Sequence, residues 1–138
     1  MADIVVTAAN VSPIWPRHAE IYPFIAASTI TAGQPVYQTS AGKVAPAGAN
    51  AAGLQQFRGI ALNGGGAGQA IDVLKSGHVA GYTLSQAYDT QIFLSDTVGA
   101  LADAAGTMSV PVGRVVPMSD AALTKVLYVD ADWSAQRS

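Results

Sequence analysis

An all-β domain is what this chain predicts, a sandwich or barrel with a jelly-roll arrangement among the options, and three observations carry that reading. Short apolar runs rich in Val, Ile and Tyr alternate with clusters of Gly, Pro, Ser, Asn and Asp, the pattern of short strands joined by tight turns. The 3.6-residue periodicity of amphipathic helices is almost absent. The 138 residues suffice for one compact core that buries roughly two-thirds of the unfolded surface, and are too few for two.

Taken in order, the predicted strands are Ile4–Thr7, Ile21–Ala26, Val36–Gln38, Lys43–Ala45, Phe57–Leu62, Ala70–Leu74, His78–Gly81, Gln91–Leu94, Val112–Val116 and Val126–Val129. The firmest hairpin joins Phe57–Leu62 to Ala70–Leu74, because Asn63-Gly64-Gly65-Gly66 between them admits positive φ. One helical turn is predicted at Ser119-Asp120-Ala121-Ala122-Leu123, with Ser119 or Asp120 as its cap.

The chain also echoes itself. Val36-Tyr37-Gln38-Thr39-Ser40-Ala41-Gly42-Lys43-Val44 has the rhythm of Ile92-Phe93-Leu94-Ser95-Asp96-Thr97-Val98-Gly99-Ala100-Leu101, and an Ala-rich stretch follows each. Each copy closes on a Gly that opens a strand, at Gly59-Ile60-Ala61 and at Gly113-Arg114-Val115. The expectation is two variants of one hairpin, packed face to face, with the aromatic pointing inward and the Gly left-handed before the returning strand.

The ends differ from this body. Residues 1–16 finish in Ser12-Pro13-Ile14-Trp15-Pro16 and read as an extended N-terminal arm, followed by a β domain over 17–132 and a tail over 133–138. An apolar arm carrying a Trp is expected to lie on a partner or on its own sheet rather than in water. The candidate partner-facing residues are Ile4, Val6, Ile14 and Trp15 of the arm, Arg17 beside it, and Trp133 of the tail.

Charge is the unusual total. Asp, Glu, Lys and Arg make up 12% of the chain, against about 25% in ordinary soluble domains, and the net charge is -2. So few charges imply that part of the surface is buried against other subunits, in a homodimer or homotrimer. Arg17, Lys43, Arg58, Lys75, Arg114, Lys125 and Arg137 never cluster, which argues against nucleic acid. No basic n-region precedes an apolar run at the N-terminus, and no window approaches ~18 uninterrupted apolar residues, so neither export nor a membrane is expected.

Catalytic equipment is not apparent, and no enzyme, cofactor or metal is expected. Cysteine is missing altogether, and His18 and His78 stand apart without flanking carboxylates. Gly64-Gly65-Gly66-Ala67-Gly68 lacks the Gly-Lys-Ser/Thr ending of a phosphate cradle, and no Gly-x-Ser-x-Gly elbow occurs. The aspartates lie mostly beside Gly, Ser or Thr, as turn material does. Asp130 and Asp132 alternate on one face of an extended segment, a calcium signal too sparse to stand alone.

The segments Thr31-Ala32-Gly33-Gln34-Pro35-Val36-Tyr37, Arg58-Gly59-Ile60-Ala61-Leu62, Gly68-Gln69-Ala70-Ile71-Asp72-Val73 and Val112-Gly113-Arg114-Val115 resemble those of tailed-bacteriophage capsid decoration, or cement, proteins. The similarity spans roughly residues 31–129, and the first 29 residues have no counterpart in it. It implies a protein made in the host cytoplasm that sits on the outer surface of an icosahedral capsid. There it bridges major capsid subunits and holds the shell against the pressure of packaged DNA. The rival readings are a glycan- or receptor-binding module of a phage head or tail fibre, stacking Trp133, Tyr82 or Tyr88 on sugar rings, and a small β-barrel hydrolase with carboxylate chemistry.

Overall fold

The computed structural model describes residues 3–118 and 123–133. The helical turn expected over 119–123 lies outside them except for its last residue, and of the tail only Trp133 lies within them.

The chain is a single β domain whose eight-stranded antiparallel sheet curls into a half-barrel. Its strands are β1 (Val5–Val6), β2 (Ser12–Ile14), β3 (Glu20–Ile25), β4 (Pro35–Gln38), β5 (Val44–Pro46), β6 (Phe57–Ala61), β7 (Ala70–Ala80), β8 (Tyr82–Thr83), β9 (Gln91–Leu94), β10 (Leu101–Ala102), β11 (Pro111–Pro117) and β12 (Lys125–Asp130). The order across the sheet is β10-β9-β11-β12-β7-β6-β4-β5. β2 and β3 also pair with β7, and β1 pairs separately with β8.

The long strand β7 is the spine. The sequence breaks it at Lys75-Ser76-Gly77, yet the strand runs through. Gly77 takes φ +138 there, and the Cβ of Ala19 packs 2.8 Å from where a side chain on Gly77 would begin. β6 and β3 pair with its first half, β12 and β2 with its second. The expected Phe57–Leu62 to Ala70–Leu74 hairpin forms, with Ile60 opposite Leu74 and Ala61 opposite Val73. β2, β8 and β10 escape the sequence reading because two or three residues carry no legible alternation.

The internal echo coincides with a four-strand connectivity that occurs twice. β5-β4-β6-β7 and β10-β9-β11-β12 have the same connectivity. Both carry a bulge at the same place: the register shifts between Val36–Gly59 and Tyr37–Phe57 in one, and between Ile92–Gly113 and Phe93–Pro111 in the other. Each unit opens on a left-handed residue, Gly33 (φ 93) or Asp89 (φ 68). Gly33 N–H donates to Ala61 O and Ala61 N–H to Gln34 O; Asp89 N–H donates to Val115 O and Val115 N–H to Thr90 O. The pairs Ala61–Val73 and Val115–Leu127 correspond, and carrying that correspondence along β7 and β12 makes Ser76 the counterpart of Asp130. Ser76 and Asp130 face each other, with Gly77 opposite Val129 and Ala131 N–H donating to Lys75 O (2.9 Å) on either side. The likeness ends there: β11 and β7 flank β12 on opposite sides, since Leu127–Val129 pair with both, whereas β6 and β12 lie end to end along one side of β7 and β3 and β2 take the other.

The expectation for the echo needs two corrections. Val36, Ile92 and Leu94 are the fully buried members, while Tyr37 and Phe93 are half-buried, because the side-chain alternation falls one residue off the aromatic. The left-handed glycines of the two hairpins are Gly42 (φ 82) and Gly99 (φ 83), inside the turns; Gly59 and Gly113 sit at the bulges.

The main core draws on both units, Phe57, Ile60 and Leu74 meeting Ile92, Leu94, Leu101, Val115 and Leu127. A second core, Val36, Val44, Ala61, Ile71 and Val73, is closed by Ala26 and Ile30. The segment read as an arm is part of this body over residues 3–14. Ile4 is buried in the main core and donates its N–H to Leu101 O, β1 pairs with β8, and β2 pairs with β7. An apolar segment with a buried face nearby lowers its free energy by folding onto it, so the arm lies on its own domain.

Candidate interaction surface

Sheet edges are where an all-β protein is open to partners, because each unpaired strand presents a row of backbone donors and acceptors. Both ends of the eight-strand path are covered. Beside β10, Asp3 bridges to Ala102 next to the Ile4 bond already described. Beside β5, Ala27 N–H donates to Val44 O (2.7 Å) and Ala26 bridges to Val44. The ends are also tied together, Ala49 N–H donating to Ser95 O (2.9 Å) and Gly99 N–H to Ala47 O (2.8 Å).

β3 is different. Among the described residues β7 is its one ladder partner, and its burial is exposed at every position but Phe24. Ile21 is 36%, Tyr22 41% and Ile25 42% exposed. Asp72, opposite Pro23, turns its backbone away: its N–H goes to Asn63 Oδ1 (2.7 Å) and its O accepts Leu62 N–H (2.8 Å). By the alternation of an antiparallel ladder, the backbone of Pro23 then points to the open side, where the missing N–H breaks no bond within the domain.

Alternation puts Ile21, Pro23 and Ile25 on one face of β3, and Tyr22 and Phe24 on the other. The second face is capped by Trp133, whose ring meets Tyr22 at 4.9 Å, tilted, and Phe24 at 5.9 Å, edge-on. Trp133 is locked by a reciprocal pair of bonds: its Nε1–H donates to Arg58 O, and an Arg58 guanidinium N–H donates to Trp133 O, both at 2.7 Å. Glu20 forms an ion pair with Lys75 (3.0 Å), and that hydrogen bond, ahead of the opposing loss of solvent, raises the Lys75 pKa.

A second exposed apolar patch surrounds the β11–β12 connection. Trp15, 48% exposed, donates its Nε1–H to Met118 O (2.9 Å), and Tyr88, 44% exposed, donates its hydroxyl to Leu123 O. Leu123 is 64% exposed, and Lys125 Nζ lies 5.4 Å over the Tyr88 ring. Trp15 holds φ +57, a left-handed conformation unfavourable for a bulky residue, directly before the Pro16–His18 turn. Leu127 pairs with Val79, so this patch sits at the C-terminal end of β7, whereas β3 lies along Ala70–Ser76. Along β7 the centre of β3, where Pro23 faces Asp72, lies eight residues from Ala80, roughly 26 Å at the rise of a strand.

The six residues singled out from sequence therefore separate. Ile4 is core; Val6 is half-buried opposite Tyr82, and Ile14 half-buried opposite His78. Trp15 and Arg17 are exposed on one turn, and Trp133 is half-buried against β3. Sequence reasoning missed Ile21, Tyr22 and Ile25. Their signal was present: Ile21-Tyr22-Pro23-Phe24-Ile25 is apolar without alternation and carries a mid-strand proline, which marks an edge strand. Trp133, Tyr82 and Tyr88 lie in three separate places, and the Tyr82 hydroxyl is occupied by Gly33 O (2.6 Å), with burial raising its pKa. Among the described residues no pocket forms and no three His, Asp or Glu side chains gather as a metal site would require.

Neither a protein-family model, nor a curated protein, nor a solved structure matches this chain.

Proposed function

We propose that this chain is a structural virion protein that binds the outer surface of an icosahedral phage capsid and bridges major capsid subunits to stabilise the shell. The observation that carries the reading is the pair of exposed apolar patches set apart along one strand, in a domain with 12% charged residues. A bridge needs two contact surfaces, one on a capsid subunit and the other on a second subunit or on a sister copy seated beside it, joined by a body that transmits force between them, and β7 with its four partner strands is such a body. Low charge lets both patches be covered without stranding ions. The capsid as partner rests on the resemblance of the strand and turn segments to cement proteins. The glycan reading has less support, because its aromatics do not form one platform.

The test is binding of the purified chain to undecorated shells of its phage, followed by co-sedimentation and by the temperature at which the shells open. Saturable binding that raises the opening temperature is expected, with a marked loss of binding for Trp15→Ser combined with Leu123→Ser. Binding that leaves shell stability unchanged, or no binding, overturns the proposal.

A further inference from the structure

We infer that β3 is the contact for a second copy of this chain, packed antiparallel about a two-fold axis at Pro23. A two-fold interface must be complementary to itself. Ile21-Tyr22-Pro23-Phe24-Ile25 is an apolar near-palindrome: reversed about Pro23 it sets Ile21 against Ile25 of the copy, Tyr22 against Phe24, and Pro23 against itself. β-branched and aromatic neighbours of this kind are the favourable pairs between strands. The one charge on the strand, Glu20, is already neutralised within its own chain by Lys75, so the strand itself adds no unpaired ion to the contact.

Pro23 also fixes the manner of contact. Its backbone points to the open side and lacks an N–H, so a hydrogen-bonded ladder between the two strands would lose both central bonds and press the proline rings onto the opposing carbonyls. The copies therefore meet through side chains. A strand of six residues offers far less than the roughly 800 Å² per partner of a stable dimer. The contact is accordingly weak in dilute solution and is filled when copies are held side by side, as multivalent attachment to a surface would hold them. Asp72, opposite Pro23, brings a carboxylate of each copy towards the axis and opposes the contact.

The inference is independent of the capsid reading, since it is measured on the isolated chain; failure of either leaves the other standing. The protein has no cysteine, so Pro23→Cys reports on the axis cleanly under a short bismaleimide. Ser40→Cys, on the exposed β4–β5 turn, is the control. Pro23→Cys is expected to cross-link at least tenfold faster than the control, with a yield that rises with concentration. Adding Ile21→Lys or Ile25→Glu should each remove that advantage, and the two together should restore it, because the antiparallel packing sets position 21 against position 25 of the copy. Asp72→Asn should raise the yield severalfold. Thermal unfolding of each variant checks that the fold is kept, and sedimentation of the unaltered chain at millimolar concentration should show a rising average mass. A mass that stays monomeric, equal rates for Pro23→Cys and Ser40→Cys, or a double charge variant that stays as slow as the singles overturns the inference.

Discussion

Gly59 and Gly113 occupy corresponding bulges, and each is held to glycine by the strand beside it. A Cβ on Gly59 would stand 2.3 Å from Leu74 O, with φ at +149, and one on Gly113 would stand 1.7 Å from Tyr128 O. Neither carbonyl can withdraw without breaking a ladder that both units need. Gly59→Ala and Gly113→Ala should each destabilise the domain by about 2–4 kcal/mol, read as a lower urea midpoint at unchanged slope. A midpoint within error of the parent would show that the bulges relax freely. These glycines were legible as the recurring Gly that opens a strand, although their role was not, since a bulge depends on a partner strand that a single sequence does not display. The buried Ser95, whose hydroxyl donates to Asp3 Oδ1, gave no signal at all, because the two residues meet only through the fold of the whole chain.

Among the elements, the N-terminal segment is the one for which the sequence left two places open, a partner or its own sheet. The run bracketed by prolines is extended over Ser12–Ile14 and stops at the left-handed Trp15 before the Pro16–His18 turn, and whether it lies on its own domain or on a partner is decided by the free edges near it. Here β7 and β8 accept β2 and β1. Deleting residues 1–16 should therefore lower the melting temperature by several degrees, since it removes Ile4 from the core and uncovers β10. An unchanged melting temperature would mean that this segment is an appendage. The same segment brings His18 towards His78, whose ring also packs on Tyr128 at 5.3 Å. Burial first, and then the field of His18, lower the His78 pKa below its ordinary value of 6.5. A depressed histidine leaves the unfolded chain holding more protons, so its contribution is complete above pH 6.5 and is lost as pH falls through the lower folded value. Stability should decline from pH 7 to pH 5 more steeply in the parent than in His78→Gln; parallel pH profiles would exclude this source.

At the scale of the molecule, the fold class and most strand positions were readable because alternation and turn chemistry are local. The half-barrel order, the fusion of two expected strands into β7 and the open flank at β3 were not, because they follow from long-range pairing. That arrangement sets a gradient of stability. Backbone amides of β7 and β12, paired and buried at the centre, should exchange with solvent only through global unfolding, while those of β3 should exchange through local opening. Equal protection in the isolated chain at low concentration would contradict the placement of β3 at an edge. The bulge common to the two units shows that one backbone plan serves two environments. Ile60 and Leu74, buried in the first unit, stand where the second has the exposed Arg114 and the half-buried Tyr128, so the plan is held by glycine geometry and backbone hydrogen bonds and not by a fixed set of core side chains.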